Sequence, residues 1–259
     1  MTIRGMVVNA EQQSVLVAAR DLHKSYGENH VLRGVTFDAL RGRINVIIGG
    51  SGAGKTVLMR HLLVLERPDS GAVLLDGEDI TTLGDLKLNA VRLRFGMVFQ
   101  GSALFDSMSV FDNVAFPLRE RGGLSRREIR DRAMDKLTVL GVADAAERFP
   151  GDISGGMKKR VGVARAVVTE PEILIYDEPT AGLDPLAARN VDRLILTTAE
   201  KFGVTSLVIT HDMATCLGVG DRVSLLHAGR IRTTCLPREL FGSDDPVVRE
   251  FVAASGVAP

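Results

Sequence analysis

The fold is decided by residues 43–63, which read RINVIIGGSGAGKTVLMRHLL. The run Arg43–Ile48 is short and mostly β-branched, which is typical of a strand buried on both faces of a sheet. A glycine-rich turn follows at Gly49–Gly54, and Lys55–Leu63 then has the apolar spacing of a helix that stops before Pro68. A strand, a turn and a helix in this order predict one unit of an α/β sheet.

Further strand patterns lie on both sides of this unit. Two strand-and-turn segments precede it, at Val15–Ala19 and Val31–Phe37. Three buried-strand patterns follow it, at Phe95–Phe99, Ile173–Tyr176 and Ser206–Thr210, with helices between the last two. Strands that alternate with helices predict a parallel sheet.

Other segments have a different character. Residues 101–169 read as helix alone, and a capping box at Ser125–Glu128 predicts the start of one of these helices. We interpret this segment as a helical insert in the α/β core. Val223–Leu226 and Ile231–Thr234 predict a hairpin, and Pro246–Val252 predicts a terminal helix.

Composition excludes several classes of protein. The chain has 259 residues, 45% of them hydrophobic, and its 32 basic and 32 acidic side chains give a net charge of 0. That balance argues against a dedicated nucleic-acid binder, which usually carries a positive excess. We find no signal peptide pattern and no apolar run long enough for a membrane span. Two cysteines cannot form a disulfide framework, so we expect a cytosolic protein that reaches a membrane only through a partner.

The glycine-rich turn matches the phosphate-binding pattern Gly-x-x-x-x-Gly-Lys-Thr in its required context. Glycines allow backbone N–H groups to surround phosphates, and the helix N-terminus adds a favourable dipole. Lys55 supplies a cation for the β- and γ-phosphates, and the Thr56 hydroxyl is a Mg²⁺ ligand. We therefore expect a nucleotide site at Gly49, Gly50, Ser51, Gly52, Ala53, Gly54, Lys55 and Thr56.

Two carboxylates follow the apolar strand Ile173–Tyr176. Asp177 ends that strand and is the candidate to hold Mg²⁺, directly or through water. Glu178 comes next, where a carboxylate can align and deprotonate an attacking water. Together with the phosphate-binding loop they predict nucleotide hydrolysis.

A second helix end suited to anions begins at Ser154-Gly155-Gly156. With this motif in place, the stretch from about Val15 to Val252 resembles the ATP-binding subunits of ABC transporters, whose signature is Leu-Ser-Gly-Gly-Gln. This chain departs from that signature with Ile153 and Met157, which leave the Ser154 hydroxyl and the glycine backbone in place.

The resemblance implies roles for four further residues. Tyr26 falls where the family stacks an aromatic ring on adenine, although a surface tyrosine in a turn is the competing interpretation. Gln100 matches the Q-loop glutamine that contacts Mg²⁺ and the attacking water. Asp184 belongs to the D-loop, and His211 matches the switch histidine that contacts the γ-phosphate.

The resemblance also implies an organisation. The expected fold is an ATPase core with a mostly parallel sheet, an N-terminal antiparallel β part and an inserted helical subdomain at about 101–169. The expected divisions are a lead-in at 1–14, the ATPase domain at 15–252 and a tail at 253–259. We expect a homodimer that binds two ATP molecules with Mg²⁺, each between one copy's phosphate loop and the other's signature.

Two stretches indicate which group of ABC transporter ATPases the chain resembles. The signature variant SGGMKKR at 154–160 and the segment 101–120 are similar to those of the ATPases of MCE-type lipid transporters, especially the Mla (maintenance of lipid asymmetry) system. This implies phospholipid transport at the cytoplasmic face of the inner membrane, with an MCE-domain protein and a small STAS-like regulator as possible partners. Neighbouring importer ATPases with other cargo share similar stretches and stay as the alternative.

Apolar side chains are concentrated directly after Gln100, at Leu104, Phe105, Met108, Phe111 and Phe116. They fit either the core of the helical insert or a groove for a helix of a membrane permease, which the family receives in this region. Two other classes fit less well. Soluble ABC ATPases acting on ribosomes or DNA usually carry two ATPase halves or basic extensions, and P-loop kinases and GTPases leave Ser154–Gly156 unexplained.

Overall fold

The structure is a computed structural model that describes residues 14–257. Its strands are β1 (Val15–Tyr26), β2 (Asn29–Leu40), β3 (Ile44–Ile48), β4 (Ser70–Leu75), β5 (Glu78–Asp79), β6 (Phe95–Val98), β7 (Ile173–Asp177), β8 (Thr205–Thr210), β9 (Arg222–His227) and β10 (Arg230–Cys235). Its α-helices are α1 (Lys55–Leu62), α2 (Asp85–Arg92), α3 (Val110–Arg121), α4 (Arg126–Val139), α5 (Gly155–Val167), α6 (Pro185–Phe202), α7 (Met213–Val219) and α8 (Pro246–Ala254).

The strands form two sheets. The first is antiparallel, in the order β2-β1-β4-β5, and the second has the order β10-β9-β3-β8-β7-β6. Every pair in the second sheet is parallel except the hairpin β9–β10. This architecture confirms the predicted mostly parallel α/β fold with an N-terminal antiparallel part.

Helix α1, which follows the phosphate-binding loop, lies between the two sheets. Its buried side chains Leu58, Met59 and Leu62 share one hydrophobic cluster with Phe37 of the first sheet and Ile47 of the second. Each of these side chains is at most 4% exposed. Burial on both sides fixes the axis of α1, and with it the direction in which the loop presents its backbone N–H groups.

Helices α3, α4 and α5 occupy the segment that was predicted to be helical. Their apolar faces belong to a second hydrophobic cluster, which includes Val114, Leu137 and Val163 together with Tyr176 of β7. The predicted capping box is confirmed: the Glu128 backbone N–H donates to the Ser125 hydroxyl, and the Ser125 N–H donates to the Glu128 carboxylate. This start fixes where α4 begins.

The sequence prediction missed or shortened several elements. Strand β1 continues seven residues past the predicted end at Ala19 because it pairs with both β2 and β4, with irregular register after Ala19. Strands β4 and β5 and helix α2 were not predicted at all. β5 is only two residues long and α2 buries only Leu88, so neither has a periodic apolar pattern to detect.

Candidate functional site

Three adjacent strands end at the same edge of the second sheet. Ile48 of β3 pairs with Thr210 of β8, and Asp177 of β7 pairs with Ile209 of β8. The residues that follow these strands are therefore neighbours: the glycine-rich loop after β3, Glu178 after β7 and His211 after β8. Ligands of open α/β sheets bind at this carboxyl edge.

The glycine-rich loop needs its glycines. A side chain at Gly49 would place its Cβ atom 2.3 Å from the Leu226 carbonyl oxygen, so no larger residue fits there. Gly52 and Gly54 have φ angles of +74° and +103°, in the region that favours glycine. The loop thus turns sharply into α1 and directs successive N–H groups outward, as an anion site requires.

The ammonium group of Lys55 lies at the base of the loop. It donates hydrogen bonds to the carbonyl oxygens of Gly49, at 2.8 Å, and Gly50, at 3.2 Å. It is also 3.4 Å from the nearer carboxylate oxygen of Glu178. The Lys55 side chain is 9% exposed, so its charge is held where phosphates would enter the loop.

Glu178 is fixed by contacts on both sides. Its backbone N–H donates to the Ile209 carbonyl at 2.8 Å, and its φ angle of +46° is unusual for a residue other than glycine. The His211 backbone N–H donates to Glu178 Oε2 at 3.2 Å, and His211 Nδ1 lies 2.8 Å from the same oxygen. A strained residue held by its surroundings is typical of a functional site.

A buried network joins the loops that follow β7 and β8. The Thr215 hydroxyl donates to Asp212 Oδ2 at 3.0 Å, and the Thr180 hydroxyl donates to the same oxygen at 3.3 Å. The two threonine hydroxyls lie 3.1 Å apart, and both residues are at most 5% exposed. The network keeps Glu178 and His211 in a fixed relative position.

Asp177 and Thr56 lie where a divalent cation would bind beside phosphates. Burial, and after it the neighbouring Glu178 carboxylate, raises the pKa of Asp177, so a cation that neutralises this charge is favourable there. Thr56 is exposed at the start of α1. No cluster of three or more His, Cys, Asp or Glu side chains capable of holding a metal occurs within residues 14–257. This donor set fits Mg²⁺, which usually takes one or two protein ligands and completes its shell with phosphates and water.

The loop opens into a cavity of about 800 Å³. Seven predicted nucleotide-binding residues line it, together with Glu178 and His211. They are Gly50, Ser51, Gly52, Ala53, Gly54, Lys55 and Thr56. The wall also includes residues that the sequence did not indicate, namely Asn29, Val31, Val57, Phe251, Ala254 and Ser255. The last three belong to or directly follow α8. Nothing in the sequence pattern of α8 distinguishes it from an amphipathic terminal helix that lies away from a site.

The other predicted site residues do not line this cavity. Tyr26 ends β1 with its side chain 44% exposed, and its hydroxyl donates to the Glu66 carboxylate at 2.7 Å. Gln100 is exposed after β6, and Asp184 caps α6 by accepting from the Leu186 and Ala187 N–H groups. Gly49 and Asp177 do not line the cavity themselves, but each directly precedes a residue that does, Gly50 and Glu178.

The second candidate anion site is the N-terminus of α5. The Ser154 hydroxyl accepts from the Met157 N–H at 3.3 Å, which confirms Ser154 as the cap. Gly155 and Gly156 are exposed, and a Cβ atom at either position would meet nothing within 4 Å. The chain therefore presents this helix end to solvent and not to its own cavity.

Comparison with known proteins is consistent with this site. The ABC transporter family model matches residues 32–181. A probable ribonucleotide transport ATP-binding protein of Mycobacterium leprae is 40% identical over 95% of this chain and 71% of its own length. The protein trigalactosyldiacylglycerol 3 of Arabidopsis thaliana chloroplasts is 39% identical over 93% of this chain and 74% of its own length. A methionine import ATP-binding protein of Rhizobium johnstonii is 43% identical over 83% of this chain and 59% of its own length.

Solved structures show the same arrangement. The protein cbiO1 of Clostridium perfringens, part of an ABC transporter complex, superposes with a TM-score of 0.82 at 31% identity, over 91% of this chain and 94% of that one. The ATP-binding cassette MJ0796, in a dimeric post-hydrolysis state with ADP and phosphate, superposes with a TM-score of 0.75 at 30% identity, over 86% of this chain and 99% of that one.

The fold and the site together define an ATP-hydrolysing cassette. The chain belongs to the ABC transporter family, as an ATP-binding subunit with ATPase activity. None of the helices within residues 14–257 is both long and apolar enough to cross a membrane.

Proposed function

We propose that this chain hydrolyses ATP as a homodimer to energise phospholipid transport of the Mla/MCE type. The observation that carries the hydrolytic part is the cluster of Lys55, Glu178 and His211 at the phosphate-binding cavity. A cation for phosphate oxygens, a carboxylate that can act as a base, and a histidine beside it are groups that can promote phosphoryl transfer to water.

The proposed roles follow from position. Glu178 accepts the proton of the attacking water, and His211 orients the Glu178 carboxylate and contacts the γ-phosphate. Lys55 and the loop N–H groups neutralise the β- and γ-phosphate charge. Thr56 and Asp177, with the Gln100 side chain, would hold Mg²⁺, which when bound neutralises charge on the phosphate oxygens.

The exposed N-terminus of α5 supports a site shared between two copies. An anion-binding helix end that lies outside its own cavity can complete the cavity of a second copy in a head-to-tail arrangement. We propose that Ser154, Gly155 and Gly156 contact the γ-phosphate of the ATP bound to the other copy. Asp184 lies at the start of α6, in the exposed segment that would face the partner.

Tyr26 provides a test of how the adenine is held. Replacing it with alanine should weaken ATP binding about tenfold or more, because a base–aromatic stack contributes roughly 1–3 kcal/mol. Tyr26→Phe is the matched control, since it removes the hydrogen bond to Glu66 and keeps the ring. Titration with a fluorescent ATP analogue measures both. Equal affinities for the alanine variant and the unmodified chain would mean that Tyr26 is only a surface residue.

The sequence left two alternatives for the apolar side chains after Gln100, the core of the helical insert or a groove for a permease helix, and these side chains divide between the two. Leu104 and Phe111 pack against the core of the helical segment. Phe105 is 43% exposed, and its ring lies 5.1 Å from that of Phe116. These two rings, with Phe95, Met97 and Phe99, line a cavity of about 480 Å³ that we call the Phe105 groove. We propose that a helix of an integral-membrane permease docks here, within the predicted stretch Leu104–Phe116.

Phe105→Asp is the direct test of this docking. The aspartate removes the apolar surface of the ring. A partner helix would also have to bury its charge together with that of Arg165, whose guanidinium lies 5.7 Å from the Phe105 ring, and desolvating both charges opposes binding. We expect the variant to bind ATP normally but to lose co-purification with the permease. Leu196→Asp, a change at a similarly exposed apolar side chain on α6, is the matched control and should keep the partner. Retention of the permease by the Phe105 variant would exclude the groove as the docking site.

The lipid assignment rests on the sequence similarity to Mla-type ATPases and is supported by one relative that is named after a diacylglycerol lipid. Other relatives carry names that refer to ribonucleotide and methionine transport, so import of a small molecule is the alternative. A third class, a soluble ABC ATPase outside transport, is disfavoured by the zero net charge. An MCE-domain protein and a STAS-like regulator belong to the proposed complex, at the cytoplasmic face of the inner membrane.

The cargo is tested with the complex purified from membranes and reconstituted in vesicles. We expect ATP-dependent transfer of fluorescent phospholipid between vesicle populations. Uptake of methionine or ribonucleotide, without lipid transfer, would replace the lipid assignment by the importer alternative. Failure of the chain to co-purify with any membrane protein would contradict transport.

A further inference from the structure

The two lysines of the signature variant lie in very different environments. Lys158 and Lys159 follow Met157 on the second turn of α5. Lys158 makes no side-chain hydrogen bond or ion pair within the described part of the chain. The ammonium group of Lys159 instead donates to two backbone carbonyls, those of Gln100 and Pro179, the latter at 3.1 Å.

These two carbonyls belong to the loops on which hydrolysis is proposed to depend. Gln100 follows β6 and is the residue proposed to reach Mg²⁺ and water, and Pro179 comes directly after Glu178. One side chain thus joins three elements that are far apart in sequence: the signature helix, the exit of β6 and the exit of β7.

The ammonium group of Lys159 is half-buried, and hydrogen bonds to backbone carbonyls stabilise its charge. Desolvation lowers the pKa of Lys159, because half-burial disfavours its charged form. No carboxylate forms an ion pair with it within residues 14–257. A half-buried ammonium without a counter-ion is costly unless its donors are used, and here backbone carbonyls use two of them.

Arg165 on the same helix holds the next part of the same loop. Its guanidinium donates to the carbonyls of Ser102, at 2.9 Å, and Ala103, at 2.8 Å. Both residues have positive φ angles, +63° and +44°, which residues other than glycine adopt only when they are held. Two basic side chains of α5 therefore hold this loop by hydrogen bonds to the backbone carbonyls of residues 100, 102 and 103.

We propose that Lys159 is a positioning residue for hydrolysis, which fixes Gln100 and Glu178 relative to the signature helix. It acts by holding the main chain at Gln100 and Pro179, next to the reacting groups. This proposal rests on the hydrolytic roles given above to Gln100 and Glu178. It also assigns a function to one of the two lysines that distinguish this signature variant.

The test compares Lys159→Met with Lys87→Met, a change at an exposed lysine on α2, in the full chain. Methionine keeps much of the length of the side chain and removes its charge and donors. For Lys159→Met we expect kcat for ATP hydrolysis to fall about tenfold, as the misplaced groups raise the barrier by roughly 1.4 kcal/mol, with KM changed less than about twofold. Lys87→Met should hydrolyse ATP like the unmodified chain.

Lys159→Arg separates positioning from structural support. It keeps a cation that can reach the same carbonyls, so we expect it to restore part of the lost kcat. An unchanged or raised kcat in Lys159→Met, or a rise in KM alone, would overturn the proposal. If Lys159→Met does not fold, as shown by thermal melting, Lys159→Gln and Lys159→Arg are compared instead, and equal kcat values in these two would overturn it. Loss of turnover in Glu178→Gln together with normal turnover in Lys159→Met would reject this inference and leave the proposed function standing.

Discussion

Glu178→Gln should lose nearly all turnover and keep ATP binding. The amide preserves the shape of the side chain and its ability to accept from the His211 backbone N–H, which lies 3.2 Å from the carboxylate. It cannot accept a proton from water, and general base catalysis contributes about 10²–10⁴-fold. Phosphate release measures kcat, and equilibrium binding of an ATP analogue measures affinity.

The control for this change is Glu120→Gln, which alters an exposed carboxylate on α3. It should leave kcat unchanged, since it removes the same charge far from the cavity. A loss of only a few-fold in Glu178→Gln would mean that another group takes the proton. Loss of ATP binding would mean that Glu178 mainly holds Lys55, which lies 3.4 Å away.

Gly155→Asp should abolish hydrolysis without affecting the fold of one copy. A Cβ atom at Gly155 meets nothing within 4 Å, so the isolated chain has room for the new side chain. In the proposed dimer the same carboxylate would face the γ-phosphate bound to the partner and replace attraction by repulsion. We expect kcat to fall by at least about 10²-fold, the effect of losing one donor to a developing charge. ATP should still bind to the isolated chain.

Gly151→Asp provides the matched control for the Gly155 variant. Gly151 is also exposed, and a Cβ atom there also meets nothing within 4 Å. The two variants carry the same added charge four residues apart, and only one lies at the helix end. Normal hydrolysis in both would show that the signature helix does not take part in the site.

The phosphate-binding loop and the carboxylates after β7 could be predicted because their chemistry is encoded locally. The glycine pattern, Lys55 and the carboxylates after β7 occupy short stretches whose position relative to a strand follows from the sequence. Parallel pairing then brings the strand ends together, as the register of β3, β7 and β8 shows. His211 needed the family resemblance, because one histidine after one strand has no local pattern of its own.

The remaining features depend on contacts between distant segments. The side chains of α8 line the cavity only because this C-terminal helix packs beside it. The apolar periodicity of a helix predicts that one face is buried, but not which part of the protein that face contacts. Phe105 and Phe111 have the same apolar character in the sequence, but one is exposed in a groove and the other packs on the core. The contacts of Lys159 could not be predicted, because both of its acceptors are backbone carbonyls.

The central claim is that ATP binds between two copies of this chain, and sedimentation velocity of Glu178→Gln tests it most directly. This variant should sediment as a monomer without nucleotide and as a dimer with Mg²⁺ and ATP, and ADP should not replace ATP. Adding Gly155→Asp to the same chain should keep it monomeric with ATP present. A chain that stays monomeric at saturating ATP, while the unmodified chain hydrolyses ATP at a rate per copy that does not depend on protein concentration, would contradict the account.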